Sequence, residues 1–443
     1  MSLAIEIPND WHEREHQKPI CKAFREGVRR AVAVWHRRAG KDSTAINFTA
    51  TEMFRHPGLY WHCGPTQKQV RKFVWNNIDR EGRRVIDQAF PSEIRKRKND
   101  SEMLIETVNG SIWQCIGSDN YDSLVGANPR GVVFSEWSIC DPHAWDLIRP
   151  ILVENNGWVI FIYTPRGKNH GYFLYQMART NPDWFCELLT VDDTGLITPE
   201  QVQAERDAGM PEEMIEQEFY CSFEAFNVGA IFGKQMQSAW KERRIGHFPP
   251  DPALPVYTFW DLGINDQNAI WMVQAIRNEI RLVGYYENYN EAMPHYFKYL
   301  NDWAREHHCS FAEHWAPHDI EVREYTSGKT RKETALKDHG WRFQVTPQLP
   351  VSDQIEAGRG IFPKIFIHET ACQDGINALA SFEREFDEKR KVFTDRPVHN
   401  WASHGSSAFM NMAVNFKDRM FEEKRPQIPT GPVQAQITNP FDG

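Results

Sequence analysis

Short apolar runs recur along this chain, and several are followed by a polar turn and then by apolar residues at helical spacing. Residues 31–34 form one such run; a loop containing Ala39, Gly40 and Lys41 follows, and then Ala45, Phe48 and Met53 fall on one helical face. Residues 59–66, 131–137 and 156–171 repeat the strand-like pattern, and residues 67–90 predict one helix. Strands that are apolar throughout are buried on both faces, and strands separated by helices pair in parallel. The first half therefore predicts an α/β fold with a mostly parallel sheet, carrying a hairpin that turns at Asn109-Gly110.

The pattern changes after the Pro-rich stretch 245–255. Runs 257–263, 268–276 and 279–289 follow with hairpin-length joins, then a helix over 295–308, a strand ending near Asp319, and long helices to about residue 424. At ~150 residues per domain, 443 residues make two to three domains. The expected division is 1–195, a helical connecting region 196–250, a second α/β unit 251–424, and a Pro/Gln/Asn-rich tail 425–443.

Composition narrows the classes. Charged residues are 25% and hydrophobic residues 41%, which excludes disorder over most of the chain. Lys plus Arg is 51 against 60 Asp plus Glu, a net charge of -9 that excludes a wholly basic coat but not a local basic groove. The 8 Cys are scattered with no CxxC pair, as expected of reduced, buried thiols. No signal peptide or membrane span is expected.

Chemistry concentrates at residues 35–43. A strand, a loop with Gly40-Lys41 and a helix make a phosphate-cradling arrangement, in which Lys41 would reach β- and γ-phosphates. The next position normally offers a Ser or Thr hydroxyl to Mg²⁺; here it is Asp42, followed by Ser43, and Trp35 stands where the first Gly belongs. A basic turn capping a helix is the plainer alternative. The run 131–137 ends in Ser135-Glu136, where an ATPase needs a water-orienting carboxylate, and Thr164 ends the next run, where a hydroxyl would sense the γ-phosphate.

With these residues in this order the chain resembles the large terminase subunit of tailed bacteriophages, over about residues 15–420. The supporting strings are HRRAGKD, YWHCGPT, SLVGANPRGVVFSEW, YTPRGKNHGYF, EFYCSFEAFNVGAIF, FWDLGINDQNAIW, HWAPHD and HNWASHGSSAF. The resemblance implies an N-terminal P-loop ATPase domain and a C-terminal nuclease domain of the ribonuclease H/resolvase-like fold. It implies that Arg37, Arg38, Ala39, Gly40, Lys41, Asp42 and Ser43 surround the ATP phosphates, with Asp42 or Ser43 on Mg²⁺ and an arginine, 37 or 38, on γ-phosphate charge. Glu136 is the implied catalytic glutamate and Thr164 the implied coupling residue; Ser135 departs from the usual Asp. Gln17 is either the adenine-contacting glutamine or a solvated surface residue.

In the nuclease unit, Asp261 and Asp319 are the implied catalytic acids and ligands for two Mg²⁺ or Mn²⁺ ions. Ser407 stands where a third, Asp ligand belongs, and Asn400 replaces an earlier acid; His404 would substitute, particularly for Mn²⁺, or else caps a helix, and Asp266 is a further possible ligand. Two readings stay open: a nuclease with an altered metal shell, or a packaging ATPase whose cutting is impaired. A non-capsid ATPase–nuclease of DNA repair is a third. The implied partners are double-stranded DNA, a portal protein, a small terminase subunit and further copies in a ring on the procapsid, with no membrane. The implied location is the bacterial host cytoplasm at the procapsid portal, and not the mature virion. DNA would be tracked through its phosphates by basic clusters at Lys68, Arg71, Lys72, Arg80, Arg83, Arg84 and Arg95 to Lys98, and by Arg323 to Lys332 near Asp319; a solvated helix face is the alternative for residues 95–98.

Overall fold

A computed structural model describes residue 8 and residues 11–416, except 80, 125, 226–228, 264–267, 290, 324–327 and 388–391. The first half builds one sheet from β1 (Arg30–Trp35), β2 (Leu59–Gly64), β3 (Arg95–Asn99), β4 (Leu104–Thr107), β5 (Ile112–Gly117), β6 (Pro129–Ser135), β7 (Trp158–Tyr163) and β8 (Trp184–Leu189). Their order is β3-β4-β5-β2-β6-β7-β1-β8. The stretch from β5 to β8 is parallel, as its apolar, helix-linked strands require. Strand alternation explains the two cores. Ala31, Ala33 and Trp35 enter the core on one face, while Val32 and Val34 enter the other, where Phe134 stacks on Phe161 at 5.1 Å. Because β7 lies between β1 and β6, the loop after β1, Thr164 after β7 and Glu136 after β6 emerge side by side along one edge.

Two expectations fail locally. The single helix over 67–90 is broken into Gln67–Val70, a wider turn Arg71–Trp75 and Val85–Ala89. The Asp79 carboxylate accepts hydrogen bonds from the backbone of Glu81 and Arg83 and closes a turn that a helix cannot contain. Residues 95–98 are no helix face but an edge strand, antiparallel to β4 with a bulge after Arg95. The bulge puts Arg95 and Lys98 on the same carboxylate, Asp87, while Lys96 pairs with Glu106.

The second sheet contains β9 (Ile245–Gly246), β10 (Val256–Asp261), β11 (Asn268–Ile276), β12 (Glu279–Asn288), β13 (Phe311–Ala316), β14 (Phe343–Val345) and β15 (Ile365–His368), ordered β14-β13-β10-β11-β12-β15-β9. An antiparallel meander β10–β11–β12 flanked by β13, parallel to β10, and β14, parallel to β13, is the ribonuclease H-like arrangement. Parallel pairing of β10 with β13 brings Asp261 and the turn carrying Asp319 out at the same edge. Beyond Asp319 the chain is not simply helical: β14 and β15 join the sheet, and β16 (Arg384–Asp387) pairs with β17 (Val392–Pro397) before the helix Trp401–Asn415. Ile231, Phe232, Met236, Ala239 and Ile245 pack into the core under this sheet, alongside Trp271 and Phe409. The tail 425–443 lies outside the described residues.

Candidate functional site

The loop between β1 and the helix Lys41–Arg55 curls through two left-handed residues, Arg38 (φ 74°) and Gly40 (φ 85°). Gly40 adopts this without cost; Arg38 does so against its side chain, a strain of order 1–3 kcal/mol that the surroundings must hold. They do so from both sides. His36 accepts or donates at Thr194 Oγ1 (2.7 Å), and the Arg37 backbone N–H bonds Glu218 O. On the other side, Gln17 reaches Ala39 O at 3.4 Å. No side chain caps the helix, and Lys41, Asp42 and Ser43 in its first turn line a cleft of about 1390 Å³. Arg37, Arg38, Gly40, Glu136 and Thr164 line it too; the buried Ala39 completes the loop.

Three predicted residues meet at the cleft floor. Lys41 is buried, donates to Thr164 Oγ1 at 3.2 Å, and lies 3.3 Å from Glu136. Thr164 in turn donates to Trp35 O. Glu136 follows β6 in a left-handed conformation (φ 56°), a strained backbone that turns its carboxylate toward the lysine. Beside them, Ser135 donates a hydrogen bond to Asp42, and His62 Nε2 stands 3.5 Å from the same carboxylate. Burial alone would raise the Asp42 pKa; His62, Lys41 and Ser135 outweigh it and hold the carboxyl below its ordinary value. An anionic oxygen beside an uncapped helix start suits a divalent cation shared with phosphate oxygens.

Gln17 is neither solvated nor on the cleft wall. It is buried, its carbonyl accepts from Arg14 N–H, and its amide supports the loop. Sequence reasoning missed Arg166 and Glu218. The Glu218 carboxylate takes Arg166 at 2.8 Å and Arg37 at 3.3 Å, so one of the two loop arginines is tethered while Arg38 is exposed in the cleft. Burial works to raise the Glu218 pKa, but Arg166 and Arg37 keep it low. Both residues, and His62, sat inside strings quoted above, without a pattern that marked them.

At the second edge, Asp261 Oδ2 is 3.1 Å from His404 Nδ1. Its pKa is raised by burial and by the charge of Asp319, against the opposing pull of His404. Asp319 sits in a short turn, 3.4 Å from His318. Asn400 is the N-cap of Trp401–Asn415, its side chain accepting from Ala402 N–H, so it supplies no ligand. Ser407 lies one turn beyond His404 on the same helical face. Among the described residues no three His, Cys, Asp or Glu side chains gather around a cation position. Asp266 lies outside the described residues. Among the described residues, Asp261 and Asp319 are the two carboxylates at this edge, and Asp261 already faces an imidazole.

Much of the basic charge is matched locally. Arg71 bonds the carbonyls of Asp100 and Ser101, Arg83 pairs with Asp79 and Glu81, and Arg84 with Asp100. Lys329 faces Asp338 and Lys332 faces Glu321. Arg80 lies outside the described residues. No described helix is long and apolar enough to cross a membrane.

No protein-family profile matches the chain. The large terminase subunit of Escherichia phage T5 is 23% identical over 329 residues, covering 70% of this chain and 70% of that protein. That of Thermus phage G20c is 26% identical over 169 residues, 35% of this chain, and the match spans only 34% of that relative. Among solved structures, the large terminase of the thermophilic bacteriophage D6E in complex with ADP covers 91% of this chain and 99% of its own, at 13% identity and a TM-score of 0.41. The Thermus phage P74-26 large terminase ATPase domain covers 48% of this chain and 94% of its own, at 21% identity and a TM-score of 0.40. Over 70% of its length, then, the chain resembles the large terminase subunit of a phage.

Proposed function

We propose that this chain is the ATP-hydrolysing subunit of a viral DNA-packaging motor. The observation that carries the reading is the meeting of Lys41, Thr164 and Glu136 within 3.3 Å at the floor of the cleft. Residues 37–43 would hold the triphosphate, with Lys41 on the β- and γ-phosphates and Asp42 or Ser43 on Mg²⁺, which would neutralise phosphate charge. Glu136 would then leave Lys41 and orient the attacking water. Thr164, anchored at the end of β7, would register loss of the γ-phosphate. Arg38, exposed in the cleft while Glu218 holds Arg37, would be the loop arginine that meets γ-phosphate charge. In this reading several copies ring duplex DNA at a procapsid portal in the host cytoplasm, loaded by a small terminase subunit, and leave before the virion matures. The test is ATP turnover with and without duplex DNA: DNA-stimulated phosphate release is expected, and its persistence in Lys41→Ala would sink the proposal.

The C-terminal unit has two readings. In the first, Asp261 and Asp319 are the acids of a DNA-cutting centre, with His404 as an auxiliary ligand. The donor set favours the second, a cutting centre impaired by Ser407 and Asn400. Plasmid cleavage in Mn²⁺ and in Mg²⁺ separates them. Cutting that is lost in Asp261→Ala supports the first. No cutting, with activity gained in Ser407→Asp, supports the second.

A further inference from the structure

P-loop proteins hold their cation with a Ser or Thr hydroxyl directly after the loop lysine and an Asp on a nearby strand. In this chain the two residue types stand in exchanged places. The carboxylate, Asp42, opens the helix; the hydroxyl, Ser135, ends β6. Taken singly, each position is a departure from the pattern. Together they complement each other, because Ser135 Oγ donates a hydrogen bond to Asp42 Oδ1. Ser135 is wholly buried, so its hydroxyl is fixed on that carboxylate. A third residue belongs to the arrangement. His62, on β2 beside β6, is wholly buried, and neither ring nitrogen makes a hydrogen bond, yet Nε2 is 3.5 Å from Asp42 Oδ1. An unsatisfied buried imidazole is costly. Its place behind Asp42 gives the displaced carboxylate a polar neighbour inside the sheet.

We infer that Asp42 and Ser135 form a reciprocally exchanged cation-holding pair, in which Asp42 ligates a divalent ion beside the triphosphate and Ser135 orients it. The inference rests on the nucleotide reading of the cleft. Mg²⁺ and Mn²⁺ are hard ions that take one or two carboxylates together with phosphate oxygens and water, so the set needs no third protein ligand. The exchange makes a definite claim about two positions at once. Removing the carboxylate from 42 should be repaired only by placing one at 135.

The test is Mn²⁺ binding in the presence of ADP, read as loss of the free Mn²⁺ electron paramagnetic resonance signal. Asp42→Asn, which keeps the shape and can still accept from Ser135, should weaken Mn²⁺ binding about 10- to 100-fold. Binding of ADP alone should change little. Asp42→Ser should fail likewise. Ser135→Asp should also fail, because it sets two carboxylates against each other. The double variant Asp42→Ser with Ser135→Asp should recover binding to within a few-fold of the parent. A double variant no better than Asp42→Ser, or an Asp42→Asn protein that binds Mn²⁺ with ADP like the parent, overturns the exchange. If the double variant does not fold by circular dichroism, Asp42→Asn decides alone. A parent chain that binds no ADP overturns the nucleotide reading, and the exchanged pair with it.

Discussion

Lys41 is held by two partners that a triphosphate would compete for, Thr164 at 3.2 Å and Glu136 at 3.3 Å. Its neighbours divide into those that touch ligand space and those that hold the loop. Gln17 belongs to the second group: its carboxamide spans Arg14 N–H and Ala39 O. Gln17→Ala should therefore raise KM for ATP and for GTP together, leaving their ratio unchanged; a shift in that ratio would return Gln17 to a base-reading role. Glu218 makes a second prediction. Its folded pKa lies below the ordinary 4.5, so its contribution to stability is present above that value and is lost as pH falls through the lower, folded one. Glu218→Gln should flatten the decline of the melting temperature on the acid side, and an unchanged acid limb would contradict the Arg37–Glu218–Arg166 bridge. At this scale the sequence was informative where one residue type does one job. Lys41 and Glu136 were legible because Gly-Lys after a strand and an acid at a strand end each have few uses. Glu218 and His62 were not, since a buried acid or imidazole carries no local pattern until its partners arrive from 181 and 20 positions away.

Elements place these residues, and the helix Trp401–Asn415 does so by close approach. A Cβ at Gly405 would stand 2.5 Å from Tyr285 Oη and 2.9 Å from Ala378 Cβ, so the glycine lets the helix lie against β12 and hold His404 on Asp261. Gly405→Ala should gain about 1 kcal/mol of helix propensity and lose about 1–3 kcal/mol to overpacking against a fully engaged tyrosine. A lower urea midpoint is expected; an equal or higher one would show that the helix has slack. The strands were legible because burial on both faces writes a continuous apolar run, as in β7. The break near Asp79 and the edge strand β3 were not. Asp79 closes its turn by accepting backbone N–H groups, and β3 owes its pairing to β4 and its charges to Asp87 and Glu106 rather than to any apolar alternation.

The two halves touch near the edge where β6 and β7 end at the cleft. Asn169, whose side-chain amide donates to Ser138 O two residues after Glu136, also reaches Ser381 Oγ at 3.4 Å, and the ring of His170 meets that of Trp401 edge-on at 5.5 Å. His143 joins the halves electrostatically, bonded to Asp141 at 2.8 Å and standing 3.3 Å from Glu287 on β12. Burial opposes charge on this ring, but Asp141 and Glu287 prevail and raise its pKa well above 6.5. The stabilisation is therefore complete below pH 6.5 and is lost as pH rises through the folded value. His143→Gln should remove that alkaline loss, so that the melting temperatures of parent and variant converge as pH is raised; parallel curves would contradict the bridge. None of these cross-contacts was legible in the sequence, because each joins residues that share no motif. Whether the cleft hydrolyses ATP with Glu136 orienting the water is tested by phosphate release alongside ATP binding for the parent and Glu136→Gln. A fall in kcat of about 10²- to 10⁴-fold with ATP still bound is expected if Glu136 orients the attacking water. Turnover that survives the substitution would contradict it.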